Sequence, residues 1–412
     1  MSFKMKATRR ASSIEYAIRD VVIPAKALEQ KGVNVLKLNI GDPNAYDFDT
    51  PKHMKDALYE AANNGYNGYS PSEGDPDLLK AIAEAEGKKH NMRIDTGDIC
   101  VTTGVTESLQ MLFGAILEPG DNVLVPGPGY PPYTGLPMLY DAAPVPYRTI
   151  EEENWVPDVD DIRKKINNRT TAIAVINPNN PTGAVYPPKV LKEIADIAAE
   201  NKLLLISDEI YDGMSFTPFT SPLTLAKDVP MVVFNGFSKV YLAPGWRLGY
   251  TVFNNPDGFL DDVKKAYMNE ARLRICANTP VQRAAIAALK GPHNHVPETI
   301  RRLKERANYS YKRLNEIPGI SAAKPEGAFY IFPKIEALSN GPCDRWKDDK
   351  EFVLDVLNRA HVLFVHGSGF CQTYGNGHFR AVILPPMDTL EKAFDALDAF
   401  MRNSESMDNV IS

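Results

Sequence analysis

The chain has 412 residues, 44% apolar and 24% charged, with a net charge of −6. That length exceeds the size at which a single core stops growing, so two domains are expected. The mild acidity and the lack of a basic stripe argue against nucleic acid as a partner. No apolar run is long enough to suggest a membrane span.

The 4 cysteines (Cys100, Cys276, Cys343 and Cys371) are scattered without a CxxC pair. That pattern suggests neither zinc nor a disulfide framework, and reduced thiols in a cytoplasmic protein are expected. His293-Asn-His295 has no third ligand near it in sequence, so no metal is expected.

The basic start, Met1 to Arg10, runs into polar residues where a signal peptide needs an apolar stretch. Val22–Lys31 has helical periodicity, and Val35–Ile40 fits a strand. Ile99–Thr103 reads as a strand, Thr106–Leu117 as a helix and Asn122–Val125 as a strand. Gly127-Pro-Gly129 lacks the third glycine of a dinucleotide fingerprint and runs into Tyr-Pro-Pro, a poor helix opening.

Thr171–Ile176 predicts a strand, Lys189–Asn201 a helix, and Leu203–Ser207, Met231–Asn235 and Gly249–Phe253 further strands. Continuous apolar runs of this kind suit parallel strands covered on both faces. A long charged helix is predicted over Pro297–Asn315, short strands near Phe329–Phe332 and Leu363–Val365, and a surface loop from Gly341 to Lys350.

The rhythm predicts an α/β fold: a doubly wound, mostly parallel sheet in a large domain, residues 46–290. A smaller α/β domain would form from both termini, 1–45 with 291–412, since neither flank has apolar surface for a core of its own.

Three segments carry the chemistry. In Asn235-Gly-Phe-Ser-Lys239-Val-Tyr-Leu-Ala-Pro-Gly-Trp-Arg247, one lysine precedes one arginine by eight residues. That spacing suits an amine that bonds an aldehyde and a guanidinium that holds the aldehyde's phosphate. The others are Asn177-Pro-Asn-Asn180-Pro-Thr-Gly183 and Ser207-Asp-Glu-Ile-Tyr211. Together they read as a site for pyridoxal phosphate in an enzyme of amino-acid metabolism.

Ligands of open α/β sheets bind beyond the carboxyl ends of the strands. Lys239, Asp208, Asn180 and Thr103-Gly104-Val105-Thr106 each follow or end a predicted strand. A carboxylate must face the cofactor's ring nitrogen to keep it protonated, and Asp208 is the candidate; a helix N-cap is the alternative. Gly104 and the helix start at Val105 and Thr106 suit a phosphate, as does Arg247.

With these residues assembled, the chain resembles the fold-type I, class I/II aminotransferases. The resemblance runs from Leu38-Asn-Ile-Gly-Asp-Pro43 to His378-Phe-Arg380. Within the family it is similar to prokaryotic alanine aminotransferases, through Arg274–Pro280 and Lys324–Lys334.

The resemblance implies that Lys239 is the Schiff-base lysine and later the base at the substrate Cα. Asp208 would face the pyridine nitrogen, Asn180 and Tyr211 the ring hydroxyl, and Tyr130 the ring face. Gly104, Val105, Thr106 and Arg247 would bind phosphate, joined by Tyr69 from the partner of a homodimer. Arg380 would clamp the substrate carboxylate, with Gly41 lining the site. Many relatives place a serine three residues before the lysine; here that position is Gly236.

The reaction so implied moves an amino group between L-alanine and 2-oxoglutarate. The same cofactor residues would serve an aromatic or branched-chain aminotransferase, or a C–S β-lyase. A non-catalytic ligand sensor on this fold usually carries a DNA-binding domain, for which the N-terminus leaves no room. Arg19, with Tyr16 beside it, has two readings: a partner for a distal substrate carboxylate, or a surface arginine paired with Glu15 or Asp20.

Overall fold

The computed structural model describes residues 4–411. Eight strands build its main sheet: β1 (Ile99–Thr102), β2 (Asn122–Gly127), β3 (Ala143–Ile150), β4 (Val156–Pro157), β5 (Thr170–Ile176), β6 (Leu204–Asp208), β7 (Met231–Gly236) and β8 (Gly249–Asn254). Their spatial order is β1-β8-β7-β6-β5-β2-β3-β4. Strands β3, β2, β5, β6 and β7 pair in parallel, while β8 runs antiparallel between β7 and β1. Strand β1 therefore points the same way as the parallel set, and their carboxyl ends share one edge.

The sheet is buried on both faces, as the continuous apolar runs predict. Successive residues of β5 alternate between two cores: Ile173 and Val175 enter one, Ala172, Ala174 and Ile176 the other. Helix α1 (Val105–Ile116) packs on the second face through Leu109, Leu112 and Phe113. On the first face lie Pro188–Glu200, through Leu191 and Ile194, and α2 (Thr279–Lys290), through Val281 and Ala285.

A separate core joins the two ends of the chain. Leu36–Lys37 pairs in parallel with Val362–Leu363, and Phe379–Val382 pairs antiparallel with both Tyr330–Ile331 and Val365–His366. Helices α3 (His295–Leu314) and α4 (Met387–Ile411) cover these strands with Leu303, Ala307, Leu390 and Phe394.

Two local readings differ from the structure, and one strand was not predicted. The helix Pro132–Leu139 opens directly in the Tyr-Pro-Pro segment, because proline is preorganised for a first helical turn and its missing N–H is no loss there. Strand β3 carries Pro144 and Pro146, tolerated because β4 pairs only with Thr149 and Ile150, leaving the rest of that edge without a partner. The segment from Gly341 buries Trp346, which packs edge-on against Phe352 at 4.9 Å between ring centroids.

Candidate active site

The four loops that leave β1, β5, β6 and β7 converge on one cavity of about 560 Å³. It is lined by Lys239, Asp208, Asn180, Tyr211, Arg247 and Arg380. Gly41, Val105, Thr106 and Tyr130 also line it, as do Tyr16 and Arg19 from the N-terminal segment. Gly104 lies beside Arg247, so close that a Cβ there would come 2.7 Å from Nη2. Tyr69 does not line the cavity; it lies on the surface, 83% exposed.

Lys239 follows β7 and points its Nζ at the carbonyl of Gly41, donating at 2.9 Å. Its ammonium sits 5.3 Å from the ring centroid of Phe329 and 5.9 Å from that of Tyr211. Burial lowers its pKa to about 8; Asp42 opposes that shift, and Arg380 and Arg247 add to it. An amine so placed is mostly protonated near neutral pH, but its free-base share is far larger than that of an ordinary lysine.

Asp208 ends β6 and is buried. Tyr133 donates its hydroxyl to Oδ2 at 3.0 Å, and the Ile210 N–H donates to Oδ1 at 3.2 Å. Burial raises its pKa to about 6 despite these two donors, and Glu209 raises it further. Among the described residues Asp208 forms no ion pair, so its charge calls for a cation from outside the chain.

Arg380 is 1% exposed and likewise has no carboxylate partner among the described residues. Its guanidinium lies between the rings of Tyr330 and Phe370, at 4.6 and 4.8 Å from their centroids. Nη1 donates to Oδ1 of Asn180, Nη2 to the carbonyl of Asn39, and Nε has no acceptor. Burial pushes its pKa down. A buried cation held only by neutral acceptors is suited to receive a carboxylate.

At the other end of the cavity, Gly104 caps α1 with φ of 94° and supplies no side-chain cap. The N–H groups of Val105 and Thr106 meet no acceptor among the described residues, as expected of a helix N-terminus open to an anion. Arg247, in the left-handed region with φ of 52°, donates among the described residues to the carbonyls of Pro244 and Thr103 alone.

Gly236 has no room for a hydroxymethyl group: a Cβ there would come 2.9 Å from the Gly249 Cα and from the Leu248 carbonyl oxygen. Ser238 lines the cavity instead.

The N-terminal segment contributes Tyr16, Ile18 and Arg19 to the cavity wall. The Tyr16 hydroxyl stands 3.4 Å from that of Tyr130. Asp20 accepts from the Tyr16 N–H rather than from Arg19, and Arg19 forms no ion pair with any described residue. The pairing with Glu15 or Asp20 is not formed.

Sequence reasoning missed Tyr133, Tyr330 and Asp42. Tyr330 meets Tyr211 hydroxyl to hydroxyl at 2.7 Å. The spacing of Tyr130 and Tyr133, one helical turn apart, was a usable signal for Tyr133; nothing local marks Tyr330.

A mostly parallel sheet with an amine, an unpaired buried carboxylate and a helix end with open N–H groups at its carboxyl edge defines a fold-type I enzyme. Residues 33–397 match the family model for aminotransferases of class I and II, and the chain belongs to that family: it is a transaminase. The glutamate-pyruvate aminotransferase AlaA of Haemophilus influenzae is 37% identical, over 96% of this chain and 99% of its own. An alanine aminotransferase of Mycobacterium bovis is 35% identical, over 95% of this chain and 91% of its own. The solved structure of an alanine aminotransferase from Pyrococcus furiosus superposes with a TM-score of 0.93 at 59% identity, covering 97% of this chain and all of that one.

Proposed function

We propose that the chain transfers an amino group between L-alanine and 2-oxoglutarate, giving pyruvate and L-glutamate, with pyridoxal 5′-phosphate as cofactor. The observation that carries the reading is the lone carboxylate of Asp208, buried in the same cavity as the weakly basic Lys239 and the uncompensated Arg380. The cofactor fits that demand, because a protonated pyridine nitrogen is the cation Asp208 lacks. Bound there, it would supply an aldehyde for amines and a ring that withdraws electrons from Cα. The printed names of the relatives support alanine and glutamate as the amino donors.

Each residue then has a task. The helix start at Val105 and Thr106, with Gly104 and Arg247, holds the phosphate, and Ser238 adds a hydroxyl. Asn180 and Tyr211 face the ring hydroxyl, and Tyr130 its face. Arg380 grips the substrate α-carboxylate and so orients Cα–H towards Lys239. The Nζ of Lys239, once free, takes the Cα proton and later returns one, a role that a lowered pKa suits. Arg19 stands at the opening, where it can meet the distal carboxylate of glutamate and leave alanine untouched. Tyr16 and Ile18 close over the substrate from the same segment and limit water.

Residues 46–290 act as the cofactor-binding domain, and 1–45 with 291–412 as the smaller one. Two copies associate, with Tyr69 of each reaching the other's phosphate corner. The exposed side chains of Tyr59, Tyr66, Tyr69, Leu273 and Ile275 support such a contact. A cytoplasmic location fits the free cysteines, and no helix among the described residues is long and apolar enough to cross a membrane.

The test is to mix pure enzyme with L-alanine and 2-oxoglutarate and measure pyruvate and glutamate. Equal amounts of both products are expected. Ammonia release would mark a lyase, and turnover of aromatic or branched-chain amino acids alone would reassign the substrate.

A further inference from the structure

We propose that Asp42, an unpaired carboxylate beside the Gly41 carbonyl that Lys239 meets, is a positioning residue for Lys239: the counter-charge for its free amine within the shared cavity. The proposal rests on the role of Lys239 given above.

Asp42 directly follows Gly41, the residue whose carbonyl accepts from the Lys239 Nζ at 2.9 Å. It lines the same cavity. Among the described residues two carboxylates do so, and the other, Asp208, is held by Tyr133 and the Ile210 N–H. Asp42 forms no ion pair with any described residue.

Its structural task uses only part of the group. Oδ1 accepts from the Asn44 N–H at 3.0 Å and caps the short helical turn Pro43–Ala45, while Oδ2 meets no donor among the described residues. An asparagine would cap that turn equally well, so capping alone does not call for a charge.

The charges around Lys239 show what the carboxylate does. Arg380 and Arg247 both disfavour a second positive charge nearby, and Arg19 at the opening has the same sign. The phenols of Tyr211 and Tyr330 are neutral, held so by burial. Asp208 is turned to its own donors. Asp42 is the charge that opposes the arginines. A base that must take a proton from Cα and keep it until delivery needs such a counter-charge in a cavity this cationic.

The test titrates Lys239 directly. The full-length chain, freed of cofactor, is reductively methylated with ¹³C-formaldehyde, and the Lys239 resonance is followed against pH. Lys239→Ala identifies the signal. In Asp42→Asn, which keeps the Oδ1 acceptor, the midpoint should fall by about one pH unit. Asp42→Ser, a second uncharged cap, should lower it similarly, and Asp42→Glu should restore it. A midpoint that stays or rises in both uncharged variants overturns the proposal.

Borohydride treatment of the wild-type holoenzyme separates the two possible failures. A pyridoxyl label on Lys239 with an unmoved midpoint removes the role of Asp42 alone. A label elsewhere removes the reading of Lys239 itself.

Discussion

The Nη1 of Arg380 donates to Oδ1 of Asn180 at 2.9 Å, tying the strand Phe379–Val382 to the loop that leaves β5. Both partners line the cavity, and the acceptor is neutral. The guanidinium is thus fixed in direction while its charge stays uncompensated. Two charge-assisted hydrogen bonds to a substrate carboxylate are each worth roughly 1.5–3 kcal/mol. Arg380→Ala should therefore lower kcat/KM for both alanine and 2-oxoglutarate by about 10²- to 10⁴-fold. Arg380→Lys should recover little, since lysine cannot make two parallel bonds. Steady-state kinetics showing less than a tenfold loss for either substrate would count against this role.

Asp208 makes the cofactor-free chain sensitive to pH. Its folded-state pKa is raised from 3.8 to about 6. A raised value stabilises the fold below the unfolded pKa, and that contribution is lost as pH climbs through 6. Two pH units amount to about 3 kcal/mol. Removing the charge by Asp208→Asn should thus stabilise the cofactor-free chain by up to about 3 kcal/mol at pH 8 and leave it nearly unchanged at pH 4. Urea unfolding at the two pH values measures this. The same variant should lose most activity with cofactor present. An equal effect at both pH values would refute the titration.

The role proposed for Arg19 predicts a difference between the two amino donors. It stands unpaired at the opening, so a distal carboxylate gains a partner there and a methyl group does not. The arginine is exposed, which limits the gain to about 1 kcal/mol. Arg19→Ala should raise KM for glutamate and 2-oxoglutarate roughly fivefold and leave that for alanine unchanged. Unaltered glutamate kinetics would return Arg19 to the surface.

Gly236→Ser tests whether the family's serine can be restored. The β7–β8 pairing puts Gly236 opposite Gly249, and a Cβ would meet backbone at 2.9 Å. Overpacking of this kind costs about 1–3 kcal/mol. A lower thermal midpoint and no gain in cofactor affinity are expected. A serine that tightens cofactor binding without loss of stability would show that the strands can part.

The site was legible in the sequence where chemistry coincides with a strand end. Strands β1, β5, β6 and β7 are buried on both faces and read as largely apolar runs, so the residues that end or follow them stand out: Gly104, Asn180, Asp208 and Lys239. Strand β3 was not legible, because Pro144 and Pro146 interrupt its pattern and only the absence of an outer neighbour permits them. The small-domain strands were blurred by length: the run Val35–Ile40 contributes only Leu36–Lys37, whose partner lies more than 300 residues on at Val362–Leu363. Asp42 follows that short strand, and Tyr330 sits on another two-residue strand paired with Phe379–Val382; no local spacing announces either.

The most direct measurement is borohydride reduction of the native protein purified with its cofactor, followed by peptide mapping. A pyridoxyl group covalently fixed to Lys239 is expected, with loss of the absorbance of the bound aldehyde. An unlabelled Lys239, or a label on another lysine, would contradict the site described here.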